Sequence, residues 1–137
     1  MASLEFLISH RLQPSPPFHS AFTKECSVLC LTDGDAALAA SKYDRAIDLY
    51  SAAINLDYVS DAVFANRSKA MLGKMLWGDA LLDAQKVTEL KPSSHVGYQL
   101  MHAALRGAQR YDEAIEAFII MLSRLDNAPE AQIRSRS

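Results

Sequence analysis

Residues 63–92 read VFANRSKAMLGKMLWGDALLDAQKVTELKP, and the reading of this stretch decides the fold. Its first half carries Phe64, Ala70 and Met71 on one helical face. Its second half carries Ala80, Leu81, Ala84, Val87 and Leu90 on another, and Pro92 stops the run. Trp77 and Gly78 stand near a tight turn between two antiparallel helices. A single hairpin leaves both faces in water, so the unit has to recur.

It does. Ala46, Ala80 and Ala114 fall 34 positions apart, and the same offset relates Tyr43, Trp77 and Tyr111; Ala36, Ala70 and Ala104; Cys30, Phe64 and Tyr98; and Ile47, Leu81 and Ile115. The strings KYDRAIDLY, LWGDALLDA and RYDEAIEAF occupy equivalent places in three successive units. Small residues at the alanine trios let two helices approach closely, while the aromatic trio fills the space at each turn. Each unit buries its second face only against a neighbour, and about three units are the fewest that make a stable stack.

On these residues the chain resembles the tetratricopeptide-repeat family, from about Ser27 to Asp126. The resemblance implies an all-α fold, a right-handed α-solenoid of three helix-turn-helix repeats with an incomplete C-terminal capping helix. The repeats are expected at about 27–60, 61–94 and 95–126, in a domain over 23–126. Residues 1–22, with the apolar patch Leu4, Phe6, Leu7 and Ile8 and the spacer PSPP, are expected to form a disordered or loosely held arm. Residues 127–137 begin like a covering helix, with Pro129 and Glu130 in its first turn.

The spacing predicts helices from about Thr23 to Ala40, Tyr43 to Asp57, Asp61 to Lys74, Leu76 to Lys91, Ser94 to Gly107 and Tyr111 to Leu125. Ser94 is expected as an N-cap, and Gly73 and Gly107 as helix ends.

Composition narrows the function classes. Of 137 residues half are hydrophobic and 22% charged, with a formal charge of −2, which argues for one globular domain and against nucleic-acid or anionic-membrane binding. No apolar run approaches the roughly 18 residues that span a bilayer. Cys26 and Cys30 lie four apart with no second ligand pair, and His10, His19, His95 and His102 complete no zinc spacing. No metal or cofactor is expected. Cys30 reads as a core residue in the aromatic position, with Cys26 a bystander. Two thiols and no signal segment point to a reducing compartment, the cytoplasm or nucleus.

Catalytic patterns are missing: there is no Gly-rich phosphate loop, no GxSxG and no HExxH. His102 occupies the small-residue position of Gly34 and Ser68. The chain therefore reads as a non-enzyme. Stacked hairpins supply instead a concave surface built from the first helix of each unit, suited to a peptide or protein partner. Its expected groove residues are Thr32, Asp35, Asn66, Lys69, Gln99, Leu100 and Arg106. Asn66 is able to donate to and accept from a peptide backbone, and Lys69 and Arg106 to attract a carboxylate.

The resemblance raises a sharper alternative, the co-chaperone-type subclass that clamps the C-terminal carboxylate of heat-shock chaperones. That subclass uses polar or basic positions equivalent to Leu31, Asp35, Asn66, Val96 and Leu100, and only Asn66 agrees. A further alternative is the interaction segment of a larger enzyme.

The third unit departs from the others. Where the second helix has Ser51 and Ala52, then Gln85 and Lys86, it has Ile119 and Ile120. With Phe118, Met121 and Leu122 these make the last helix apolar nearly all round, which predicts self-association or a further covering segment.

Overall fold

The computed structural model describes residues 16–126, with side chains from Phe22 onward. Six helices follow one another: α1 (Pro16–Ala39), α2 (Tyr43–Asn55), α3 (Asp61–Gly73), α4 (Trp77–Leu90), α5 (Val96–Gly107) and α6 (Tyr111–Asp126). No strand is present among the described residues. From α2 onward each helix begins and ends close to its expected bounds. The first begins at Pro16 rather than near Thr23, so it takes in residues assigned to the arm. Proline suits a first turn, because its missing N–H has no intrahelical partner there. The patch Leu4 to Ile8 and the covering segment 127–137 lie outside the described residues.

The turns repeat with the helices. Ser41, Met75 and Gln109 all have left-handed backbones, with φ of 58°, 61° and 63°. In each case the next residue closes the helix end from five positions on: Lys42 N–H to Ala37 O (2.8 Å), Leu76 N–H to Met71 O (2.9 Å) and Arg110 N–H to Leu105 O (2.8 Å). These bonds satisfy carbonyls that a helix end leaves open.

Gly73 and Gly107 therefore do something other than supply positive φ. They are the last helical residues, and a Cβ on either would stand 2.5 Å from the ring of Tyr43 or Trp77. At α3 the Ser60 Oγ accepts from Val63 N–H at 3.3 Å, a regular N-cap. At α5 the capping residue is His95 rather than Ser94, although the Ser94 Oγ accepts from Val96 N–H at 3.2 Å.

The alanine rows are the seams of the core. Ala46, Ala80 and Ala114 are buried between the helices of each repeat, while Ala70 packs back on Ala37, Ala46 and Tyr50, and Ala104 on Met71 and Ala80. Ala36 is exposed, contrary to its trio, because no described repeat precedes α1. Tyr111 is 57% exposed for the mirror reason: Tyr43 and Trp77 pack on the glycines of the following repeat, and no described residue follows α6. Cys30 is half-buried rather than a core residue, and Cys26 is likewise half-buried; both are free thiols.

Neighbouring helices pack in chain order. In addition α1 touches α3 and α3 touches α5, whereas α2, α4 and α6 do not touch one another. The odd-numbered helices thus form the tighter side of the stack, and their layer is the concave face.

Candidate functional site

The concave face begins with what α1 and α3 share. Asp35 on α1 accepts two hydrogen bonds at the same oxygen, from Tyr50 Oη at 2.5 Å and from Asn66 Nδ2 at 3.3 Å. Tyr50 comes from α2 and is fully buried, with its ring lying against Gly34, so a larger residue than glycine at 34 would displace it. Burial first, then Asp35, push the Tyr50 phenol well above its ordinary range, so its proton stays in place as a donor.

One residue beyond Asn66, Arg67 turns the other way. Its Nε and Nη2 bond the two Asp83 oxygens at 2.7 and 2.8 Å, and its Nη1 donates to Ser51 Oγ at 3.0 Å. These bonds hold the guanidinium above its ordinary pKa. The fork ties α2, α3 and α4 together and so fixes the rotation of α3, which decides that Asn66 faces the groove. Asp83 and Ser51 were not visible as partners in the sequence, because their meeting depends on how two repeats stack. The only hint was a carboxylate inside an otherwise apolar helical run.

The remaining expected groove residues divide by exposure. Thr32, Asp35, Lys69, Gln99 and Arg106 are exposed, and Asn66 is half-buried. Thr32 spends its hydroxyl on Val28 O of its own helix at 2.9 Å. Leu100 is not a surface residue: it is 5% exposed and packs with Phe64, Ala65, Ala84 and Val87. The floor under the groove is therefore aliphatic, because α5 turns Leu100 down against α4. Leu31 and Val96 stand half-buried at its sides.

Nothing in this arrangement forms a catalytic constellation among the described residues. No group of three or more His, Cys, Asp or Glu is placed to hold a metal there. His102 packs on Phe118 with ring centroids 5.3 Å apart and planes tilted by 46°, at the position where the first repeat sets Gly34 against Tyr50. No described helix is long and apolar enough to cross a membrane.

No protein-family model matches the chain. It is 39% identical over 85 residues to the heat shock protein sti1 homolog of Schizosaccharomyces pombe, an alignment that covers 62% of this chain and 14% of that protein. Among solved structures, the Sgt2 TPR domain of Aspergillus fumigatus is similar at a TM-score of 0.68 and 26% identity, over 74% of this chain and 67% of that one. The first TPR of Spaghetti (RPAP3), bound to the HSP90 peptide SRMEEVD, is similar at 0.69 and 24% identity, over 82% and 89%. The chain thus spans about a seventh of the first of these relatives.

Proposed function

We propose that this chain, a member of the tetratricopeptide-repeat family with three repeats, is a non-catalytic interaction module that holds an extended peptide or protein segment against the concave face of α1, α3 and α5. The observation that carries this reading is the hydrogen bond from Asn66 to Asp35. It joins two inner helices at the surface, beside exposed Lys69, Gln99 and Arg106 and above an aliphatic floor. Such a face offers backbone hydrogen bonding with pockets for side chains, the usual basis of peptide recognition. Selection of peptides from a random display library on the chain tests it. Selected peptides are expected to lose binding to the Asn66→Ala, Lys69→Ala, Arg106→Ala triple variant, with helical content unchanged.

A second reading, a co-chaperone-type adaptor for heat-shock chaperone tails, is favoured by the likeness to the sti1 homolog and by the HSP90 peptide held by the RPAP3 domain. Titration of SRMEEVD onto the chain is its direct test. Either role suits the cytoplasm. The interaction segment of a larger enzyme is compatible with the same groove.

The outer face of α6 supports an additional contact. Tyr111, Ile115, Phe118 and Leu122 form an exposed stripe at helical spacing, and Ile119 and Ile120 widen it. Self-association through this face predicts that sedimentation shows a dimer for the wild type and a monomer for Ile119→Lys with Ile120→Glu.

A further inference from the structure

We propose that the groove selects a segment whose Lys or Arg side chain pairs with Asp35, flanked by aliphatic residues, and that it rejects acidic tails. This rests on the reading of the concave face as a peptide surface and names the chemistry of its occupant.

The carboxylate of Asp35 is both fixed and unspent. Both of its internal hydrogen bonds arrive at Oδ1, which leaves Oδ2 without a partner among the described residues. An ionised carboxylate has about four lone-pair sites, so roughly half of its accepting capacity is left unspent. Tyr50, buried, and Asn66, half-buried, hold it from below. A ligand that meets it therefore need not order it first.

Nor does any described cation pair with it. Ion pairs among the described residues join Arg67 to Asp83, Lys74 to Asp44, Lys86 to Glu89, Lys91 to Asp61 and Arg110 to Glu113. Lys69 holds the position equivalent to Asp35 on the next inner helix, and it makes no pair with it. Arg106 makes no pair with it either.

Around this charge the groove sets aliphatic side chains among the polar Thr32, Asn66 and Gln99 and the exposed cations Lys69 and Arg106. Leu31 lies one turn before Asp35 on α1, Val96 opens α5, and Leu100 closes the floor. A guanidinium or ammonium group fits Oδ2 in a charge-assisted hydrogen bond, and aliphatic neighbours fit the sides. The peptide SRMEEVD, bound by the RPAP3 domain, brings three acidic side chains and a terminal carboxylate. Here an acidic group seated beside Asn66 would meet a like charge at Asp35.

Isothermal titration of the full chain with two probes tests the proposal: SRMEEVD with its free carboxylate, and its basic counterpart SRMKKVK, acetylated and amidated. The basic peptide is expected to bind at least about tenfold more tightly. Asp35→Asn should weaken it about three- to fivefold, and by less as salt rises, while leaving circular dichroism unchanged. Asp35→Lys should reverse the preference.

Equal binding of both probes, preference for SRMEEVD, failure of the basic probe to bind, or indifference of its binding to Asp35→Asn would each overturn the proposal. If a display-selected peptide still loses binding in the triple variant, only the charge preference falls. If no peptide depends on those residues, the groove reading falls with it.

Discussion

The ring of Tyr43 occupies the space that a side chain on Gly73 would need, its Cζ lying 2.5 Å from where a Cβ would stand. The relationship recurs 34 residues later between Trp77 and Gly107. Each aromatic opens the outer helix of one repeat and packs on the last residue of the inner helix of the next. The pair is thus the joint between repeats.

Substitution at these glycines is expected to loosen the joint. Gly73→Ala and Gly107→Ala should each destabilise by about 1–3 kcal/mol, since an aromatic ring in contact with backbone has to move to admit a methyl group. Gly78, around which a Cβ would meet nothing within 4 Å, is the control. Gly78→Ala should be neutral or stabilising by up to about 1 kcal/mol. Urea unfolding of the three variants checks the contrast, and equal losses at all three sites would contradict it.

Arg67 and Asp83 form a second joint, within the second repeat and reaching Ser51 of the first. The Asp83 side chain is only 7% exposed. Arg67→Met leaves that carboxylate buried without a cation, at a cost of about 3 kcal/mol. Adding Asp83→Leu should restore more than half of the loss. A double variant no more stable than the single one, measured by denaturant unfolding, would mean that the fork contributes by packing alone.

Tyr50 predicts an alkaline effect with a definite sign. Its folded pKa is raised above the ordinary 10.0 by burial and then by Asp35. The stability linked to its proton is present in full below about pH 10 and is lost as pH rises through the folded value. Thermal melts should therefore fall more steeply above pH 10 for the wild type than for Tyr50→Phe. Parallel slopes would show that the Tyr50 proton is not linked to folding.

The alanine seam gives the sharpest contrast in stability. Ala80 is 0% exposed, and its carbonyl accepts from the buried Ser68 Oγ at 2.8 Å; Ala62 is exposed on the same repeat. Ala80→Glu drives an unpaired charge between α3 and α4 at a cost on the order of several kcal/mol. Ala62→Glu should be nearly neutral. Calorimetry showing the two melting alike would contradict the register.

Much of this was legible in the sequence, and the misses share causes. The 34-residue offset carried the helices and the seam, because the contacts of Ala46, Ala80 and Ala114 are the same in every repeat. It misread Ala36 and Tyr111, because periodicity alone does not show that neither has a neighbouring repeat among the described residues. It placed Gly73 and Gly107 at helix ends, where they stand, but did not show why glycine is there: Ser41, Met75 and Gln109 take the left-handed φ, and the glycines admit rings. Within the groove it found Asp35 and Asn66 but not their bond. Leu100 it took for surface, since one helical step separates floor from rim and only the tilt of α5 against α4 decides between them.

The central claim is that a partner segment lies along α1, α3 and α5. Amide chemical-shift mapping of the chain with a display-selected peptide measures this directly. The largest shifts are expected at Thr32, Asp35, Asn66, Lys69, Gln99 and Arg106, with α2 and α4 quiet on their outer faces. Shifts confined to the outer helices or to α6, with Asn66 and Gln99 unmoved at saturation, would contradict it.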